Sequence, residues 1–417
     1  MFFIHHSKMG TTSVFLMMIL ASILMLAGLF IHASSEAAGR SYADAVFDLA
    51  GRSILSEYDR PLQNRYGIFA VHTDESQAGE KIKYYVDYSL HDNLLREALR
   101  GHAYMDILKL DLKSIHVNLK GYSMTDTDLF EQQILEYIKY GIVIDNLTKK
   151  KSFPPIRQEI QLRNDQVINS LPSNGYKDSV INDLKRIVEN GIPSLPDIKS
   201  KTSDTYLVDE YIMGHFLNHQ WGFEIRDTFF LNEIEYILKG NFNDQRNYNA
   251  VRSDLFIMRN VLNLIHINND PEKRKKVDAV AAILTLVRGE EIGAVVVAEA
   301  WAAAETENDL RLLEDRIEVS LIKGKDNWAV PISQTLEYLW KDDYVKPKQM
   351  KGYNYEEYLR ILLFLENREK KLLRCMDLIQ LNMKGSYNRD FDLKEYYGGF
   401  QFEAIARDQK YTYVQKF

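Results

Sequence analysis

With 417 residues, 46% of them hydrophobic and 12% aromatic, the chain can bury a sizeable core, which excludes a disordered stalk. Its formal net charge of −7 excludes the basic surface that a nucleic-acid partner requires. Cys375 is the one cysteine, so no intramolecular disulfide forms and stability rests on packing.

The first element is Val14–Ile31 (VFLMMILASILMLAGLFI), an apolar run broken only by Ser22 and Gly28, with no charge between Lys8 and Glu36. At the helical rise it reaches roughly 27 Å, the thickness of a bilayer's hydrocarbon core. A transmembrane helix is expected, with the lipid bilayer as its partner. Three fates compete: a signal peptide cut at Ala33-Ser34-Ser35, an ordinary signal anchor, and a pilin-like anchor running unbroken into the exported domain. The apolar core is too long for the first, and the sequence beyond it favours the third. Lys8 and the α-amino group in the tail, against Glu36, Arg40 and Asp44 beyond the span, place the N-terminus inside and the main domain outside. The stretches 279–287 and 359–365 are short and bounded by charge, so a single pass is expected.

Residues 1–33 are thus tail and anchor, and 34–60 a stalk helix. Tyr42, Val46, Leu49 and Ile54 recur near helical spacing, no proline intervenes, and Pro61 sets the end near Tyr58-Asp59-Arg60. From Val14 to Glu57 the rod spans roughly 66 Å. Ala37, Ala38, Gly39, Ser41, Ala43 and Ala45 suit close approach of a second helix and oligomerisation through the stalk, or serve helix propensity alone.

Residues 61–191 read as an α+β region. Arg65–Val71 and the alternating Ile82, Tyr84, Val86 and Tyr88 are candidate strands, followed by a short helix over Asp92–Leu99 and a strand through Ile115, Val117 and Leu119. Asp128 with Glu131 resembles a capping box opening a helix through Ile138. Helices follow at 156–170 and 178–190, and the Pro-, Ser- and Lys-containing stretch 192–205 is the linker. Residues 206–417 form a mainly helical lobe, with helices at 206–218, 244–267, 271–288 (opened by Asp270-Pro271), 291–314 and 354–383, the last broken near 366–371. Glu318–Lys323 suggests a short strand. Phe400, Phe402, Ala404 and Ala406 with Tyr411, Tyr413 and Phe417 make a C-terminal β-hairpin suited to pairing with the early strands. The fold class is α+β: an N-terminal membrane helix continuing into a stalk, a small sheet with helices, and a large helical C-terminal lobe.

Chemistry-bearing patterns are sparse. His215 and His219 lie four apart on an expected helix, but no glutamate stands between them as in HExxH, and they read as polar or core histidines; His5 and His6 sit in the short tail. Glu290, Glu291, Glu299 and Glu305 show no convergence toward the carboxylate pair of a glycosidase. Asp309, Arg311, Glu314, Asp315 and Arg316 read as a solvated or ion-paired helix face, and Lys273-Arg274-Lys275-Lys276 as the exposed first turns of a helix, with anionic-lipid attraction as the alternative. Gly121, Gly214, Gly240, Gly293 and Gly324 form no phosphate-cradling spacing, no G-x-S-x-G elbow occurs, and Cys375 reads as a buried small hydrophobe. No catalytic, cofactor-binding or metal-ligating residue is assigned, and no enzyme activity is expected.

The uncharged helix, the helical stalk, Ser56-Glu57-Tyr58-Asp59-Arg60 and Tyr66-Gly67-Ile68-Phe69 together resemble TadE/TadG-like proteins of tight-adherence (Flp-type) pilus systems, and more specifically a Gram-positive relative described only as a domain of unknown function. Further segments carry the resemblance: Glu235–Gly240, Ala300–Glu305, Asp309–Leu313, Tyr358–Leu363 and Met376–Gln380. It implies a single-pass structural or assembly component working beside pilus or secretion-system proteins, with a role in adherence. An envelope-anchored extracellular hydrolase is the alternative. Pilin relatives are cut after a glycine and carry a glutamate five residues on; here Gly10 is followed at that position by Phe15, so the resemblance implies a retained anchor rather than a processed filament subunit.

Overall fold

The computed structural model describes residues 9–91, 112–145, 154, 165–174, 176, 204–222, 227–406 and 409–417. The elements in chain order are α1 (Met9–Leu55), α2 (Arg60–Tyr66), β1 (Val71–His72), α3 (Glu75–His91), β2 (Leu112–Asn118), α4 (Thr127–Asp145) and α5 (Asp165–Ser170). There follow α6 (Asp204–His215), α7 (His219–Gly222), α8 (Glu233–Lys239), α9 (Asp244–Asn269), α10 (Pro271–Arg288) and α11 (Ala294–Glu314). The chain closes with α12 (Thr335–Trp340), α13 (Tyr355–Leu365), α14 (Arg368–Ser386), β3 (Tyr396–Tyr397), β4 (Gly399–Ala406) and β5 (Gln409–Lys416). The α+β class is as read from the sequence. The expected helices at 92–99 and 178–190, and the linker at 192–205 apart from Asp204 and Thr205, lie outside the described residues, as do His5 and His6.

Two compact units emerge. The first joins Met1–Arg60, Phe69–Met124 and Lys394–Phe417; the second joins Pro61–Ile68 with Thr125–Leu393. In the first unit α1 runs without a break through the apolar segment and the stalk. Its segment Val14–Ile31 is exposed on every side, a length and composition able to cross a membrane. Beyond it the helix becomes one-sided: Ala43, Val46, Phe47, Ala50 and Ile54 are buried at helical spacing, while Leu49 is 58% exposed.

That buried stripe meets an antiparallel sheet of order β2-β4-β5. Phe400, Phe402, Ala404 and Ala406 of β4 are buried in the core shared with α1 and α3. On β5, the Tyr411 and Tyr413 rings lie 5.2 and 6.2 Å from Phe47, and Gln415 donates to Asp48 at 2.9 Å. Gly51 is required at this approach, because a β-carbon there would stand 2.8 Å from Gln415 and 3.0 Å from the Phe402 ring. The C-terminal hairpin expected from alternation therefore forms and pairs through β4 with β2, with Val117 opposite Phe402.

Three local expectations are corrected here. The run 82–88 is not a strand but part of α3, opened by Asp74, whose side chain accepts from the Gln77 amide at 2.8 Å. Ala78, Ile82 and Val86 are buried four apart while Tyr84 and Tyr88 are exposed, a pattern that satisfies a period of two and one of 3.6 alike. Most of 65–71 is helical or irregular: α2 ends at Tyr66, Gly67 turns the chain with φ +69°, and only Val71–His72 pairs, with β3. The rod ends at Leu55 rather than at 58–60, because Pro61 occupies the first turn of α2, where its missing N–H costs nothing.

The second unit is a helical assembly. α9 and α11 lie side by side, and α10 folds onto them through Val277 and Ala281, which meet Ile267, Val297, Ala298 and Trp301. The expected helix at 354–383 is two: Asn354 opens α13 with a full capping box, and Asn367 caps α14 by accepting from Lys370. The strand expected at 318–323 reduces to one bridge, Val319 with Tyr353. There Gly352 has no room for a side chain, since a β-carbon would lie 2.2 Å from the Val319 carbonyl carbon.

Replacing Phe47 by alanine should destabilise the first unit by about 3–5 kcal/mol, as truncation of a buried aromatic does. Thermal unfolding of the full chain should show a transition shifted well below that of the natural chain, and an unchanged transition would refute the packing of the stalk on the sheet.

Candidate functional site

Among the described residues of the rod unit, a shallow groove of about 310 Å³ lies between α1 and α3. Leu49, Ala50 and Ser53 of α1 form one wall, and Tyr84, Tyr85, Tyr88 and Ser89 of α3 the other. The two helices are tied at its ends: Tyr42 donates to the Ser89 carbonyl at 3.3 Å, and Glu57 accepts from Tyr85 at 2.6 Å and from Lys81. With tyrosine rings, hydroxyls and a leucine, the groove can seat an apolar side chain.

The helical unit instead concentrates its polar chemistry in its interior. On α11, Glu305 and Asp309 stand one turn apart on the same face, as do Arg259 and Asn263 on α9. Arg259 forks onto Asp309 at 2.8 and 3.1 Å and donates to the Leu321 carbonyl at 2.6 Å. Lys323 reaches Glu305 at 2.7 Å and Asp309 at 2.6 Å, so two cations and two anions neutralise one another out of water. Burial works against the charge on Asp309, yet Lys323 and Arg259 hold its carboxyl below the usual range. Glu305 also accepts the amides of Ala329 and Val330, and Asn308 exchanges hydrogen bonds with both backbone groups of Val345. These side chains supply the partners that an irregular segment lacks.

A second buried set surrounds α8. Glu233 accepts the Leu217 amide at 2.9 Å and Asn382 at 2.6 Å; Glu235 accepts the His219 amide at 3.0 Å and the Tyr355 hydroxyl at 2.7 Å. Burial pushes both carboxyls up to about 7. Asp377, which accepts from Tyr236 and the Ser173 amide, and Asp209, which meets Lys371, are pushed up to about 6, again by burial.

The sequence candidates are dispersed among these sets. His215 ends α6 with its ring stacked on Tyr211 at 4.2 Å, whereas His219 begins α7 stacked on Tyr248 at 4.0 Å. They do not share one helix: the 216–218 turn intervenes, with the Leu217 amide held by Glu233 and the start of α7 capped where Asn218 accepts from the Gln220 amide. Among the described residues no group of three or more His, Cys, Asp or Glu is placed to hold a metal ion. Glu290 and Glu291 are exposed beyond α10, Glu299 accepts from Asn260, and Glu305 lies in the ion cluster, so the four acids do not converge. The face read as solvated or ion-paired is partly interior: Asp309 is fully buried, Arg311 donates to the Tyr338 carbonyl, and Glu314 pairs with Arg252. Arg316 lies over the Trp221 ring at 4.5 Å and donates to the Gln220 carbonyl, in the left-handed region with φ +61°. In the basic run Lys273 is buried against Trp328, and Arg274, Lys275 and Lys276 are exposed. Cys375 is fully buried, and burial lifts its thiol well above the ordinary range. The Glu233 and Glu235 pair was missed; its one signal is acidic residues placed among the apolar positions of Phe229–Leu238.

Residues 158–408, more than half the chain, match the model of a family described as a family of unknown function (DUF5702). No curated protein and no solved structure matches the chain.

The raised carboxyls give stability a definite pH dependence. In the unfolded chain Glu233 and Glu235 release their protons near the ordinary value of 4.5, whereas the folded chain keeps them to about 7. Between these values the native state binds more protons, so stability falls as pH rises from about 4.5 to 7, by up to about 3 kcal/mol per carboxyl. Asp309 acts oppositely and below this window, since its depressed value costs stability only in stronger acid. Denaturant unfolding of the second unit should therefore show greater stability at pH 5 than at pH 8, and Glu235→Gln should flatten the difference. Breaking the other set by Asp309→Ala, which strands Arg259, should cost about 3–5 kcal/mol in the same assay.

Proposed function

Because the chain belongs to the DUF5702 family, whose function is unknown and whose matched region begins beyond the rod, we propose its role from the architecture: a single-pass, membrane-anchored structural or assembly component of a tight-adherence pilus or pilus-like secretion machine, acting by protein–protein contacts. One observation carries the reading. A single unbroken helix is apolar on all sides over Val14–Ile31 and, a few turns later, contributes Ala43, Val46, Phe47, Ala50 and Ile54 to a folded core. Such a helix couples a membrane segment rigidly to an antiparallel sheet, which suits a part that transmits position from the bilayer to an assembly.

Retention of the anchor fits the same geometry. Helix α1 passes through Ala33-Ser34-Ser35 without interruption, and Gly39 is already buried one turn further on. In this reading the first ten residues stay cytoplasmic and both units lie outside the cell. The contacts it makes are those of a scaffold: polar side chains in the helical unit serve its own backbone, and the groove beside Leu49 and Tyr84 takes an apolar side chain of a neighbour.

Three measurements test the proposal. N-terminal sequencing of the chain recovered from its native membrane should find the start intact, and protease added to intact cells should reach residues beyond 60. A clean deletion should reduce surface piliation or adherence. Protection of the domain from external protease, or normal pili and adherence in the deletion, would count decisively against it.

A further inference from the structure

One lysine of the helical unit is enclosed by two carboxylates and cut off from water. Lys323 lies on the irregular chain between α11 and α12, and its ammonium donates to Glu305 at 2.7 Å, to Asp309 at 2.6 Å and to the Asn327 carbonyl at 2.9 Å. The lysine side chain is 2% exposed and both carboxylates are 0%. A primary amine, a carboxyl carbon and a second carboxylate thus share one dry space, held in contact by the fold. Such proximity replaces the entropy cost of bringing an amine to an acid.

The two carboxylates are held differently, and the difference assigns their roles. Asp309 is gripped by the Arg259 fork as well as by Lys323, so although burial works against its charge, the two cations keep it ionised. Glu305 rests on backbone amides: its Oε1 faces Lys323, while its Oε2 accepts from Val330 at 2.7 Å and Ala329 at 3.2 Å. Burial raises its carboxyl above the ordinary range. Surroundings that push two carboxyls apart separate the proton carrier from the acid that reacts. The Val330 and Ala329 amides are aimed at the oxygen on which charge would develop if Glu305 were attacked.

We propose that Lys323 and Glu305 condense to an intramolecular amide, which ties α11 covalently to the chain that follows it. Transfer of one proton from Nζ to Oε1, across the contact the pair already makes, gives a neutral amine and a neutral acid. Nζ attacks Cδ, and the charge passes to Oε2 between the two backbone amides. Asp309 takes a proton from Nζ, hands it to the departing Oε1 hydroxyl and ends as the carboxylate it began. The Cδ–Nζ bond forms, the Cδ–Oε1 bond breaks, one water leaves, and nothing is oxidised or reduced. The product exchanges a buried ion pair, burdened by desolvation, for a neutral amide whose oxygen keeps the same donors, and leaves Arg259 and Asp309 as a matched pair. The link does not depend on the pilus reading.

Mass spectrometry of the full-length chain, purified folded and then denatured, tests it. The natural chain should be lighter than its sequence mass by one water. Trypsin cuts an unlinked chain after Arg311, Arg316 and Lys323, which separates 289–311 from 317–323. The linked chain should instead yield one branched peptide, 289–311 joined to 317–325 and uncut at Lys323. Lys323→Arg, which keeps the charge but removes the primary amine, should have its full sequence mass. So should Asp309→Asn, which keeps the side-chain shape but removes the proton carrier. The natural chain's own mass and peptides decide the matter whether or not either variant folds. A natural chain at full sequence mass would overturn the proposal, as would a water loss that maps elsewhere, such as to Lys371 with Asp209 or to a backbone succinimide. Persistence of the branched peptide in Asp309→Asn would overturn the role given to Asp309.

Discussion

One helix meets two different surroundings along its length, and the first unit is built on the consequence. Over Val14–Ile31 every side of α1 is apolar and exposed, so no side is preferred. From Ala43 onward a single stripe is buried, and its rotation about the helix axis is fixed by Phe47 against Tyr411 and Tyr413 and by the absence of a side chain at Gly51. Because an α-helix resists twisting, the packed half dictates the orientation of the apolar half. Polar links such as Gln415 with Asp48 and Tyr85 with Glu57 add direction to contacts whose main driving force is burial of apolar area.

The second unit solves a different problem. Between α11 and α13 the chain has little regular structure, so its buried backbone groups need partners from side chains. Glu305, Asn308 and Arg259 reach the backbone of Ala329, Val330, Val345 and Leu321, and the charges this brings inside are balanced by Lys323 and Asp309. Ion clusters of this kind seldom add net stability over well-packed apolar residues, because desolvation offsets the Coulomb gain. Their value here is specificity of geometry, since each carboxylate oxygen is directed at a particular donor. The Glu233 and Glu235 carboxyls of α8 likewise serve backbone groups, but burial outweighs their hydrogen bonds and keeps them protonated up to about pH 7.

Legibility in the sequence followed from how local each determinant is. The apolar helix, its unbroken continuation, α9, α10 and α11, and the β4–β5 hairpin are visible in the sequence because their periodicity and caps lie within each segment; Asp270-Pro271 and Gly289 frame α10 at both ends. The segment 82–88 resembles a strand because spacing by four residues on opposite helix faces reproduces strand alternation, and the Asp74–Gln77 cap that marks the helix lies upstream of it. Pro61 carries the mark of a helix terminator but sits in the first turn of α2. The interior polar sets were illegible for a deeper reason: whether Asp309 meets water or Arg259 depends on a partner fifty residues away, and no local pattern distinguishes the two.

The three-stranded sheet has a consequence for the order in which the molecule is made. Its central strand, β4, pairs with β2, almost three hundred residues earlier in sequence, and with β5, which follows it directly. The stripe on α1 that β4 and β5 cover therefore stays bare of them through synthesis of everything between, and the sheet closes only once the β4–β5 hairpin has been made. Long-range pairing of this sort forms late and slowly. Until then the apolar stripe of α1 is open to wrong partners, and docking of the β4–β5 hairpin is the step that covers it.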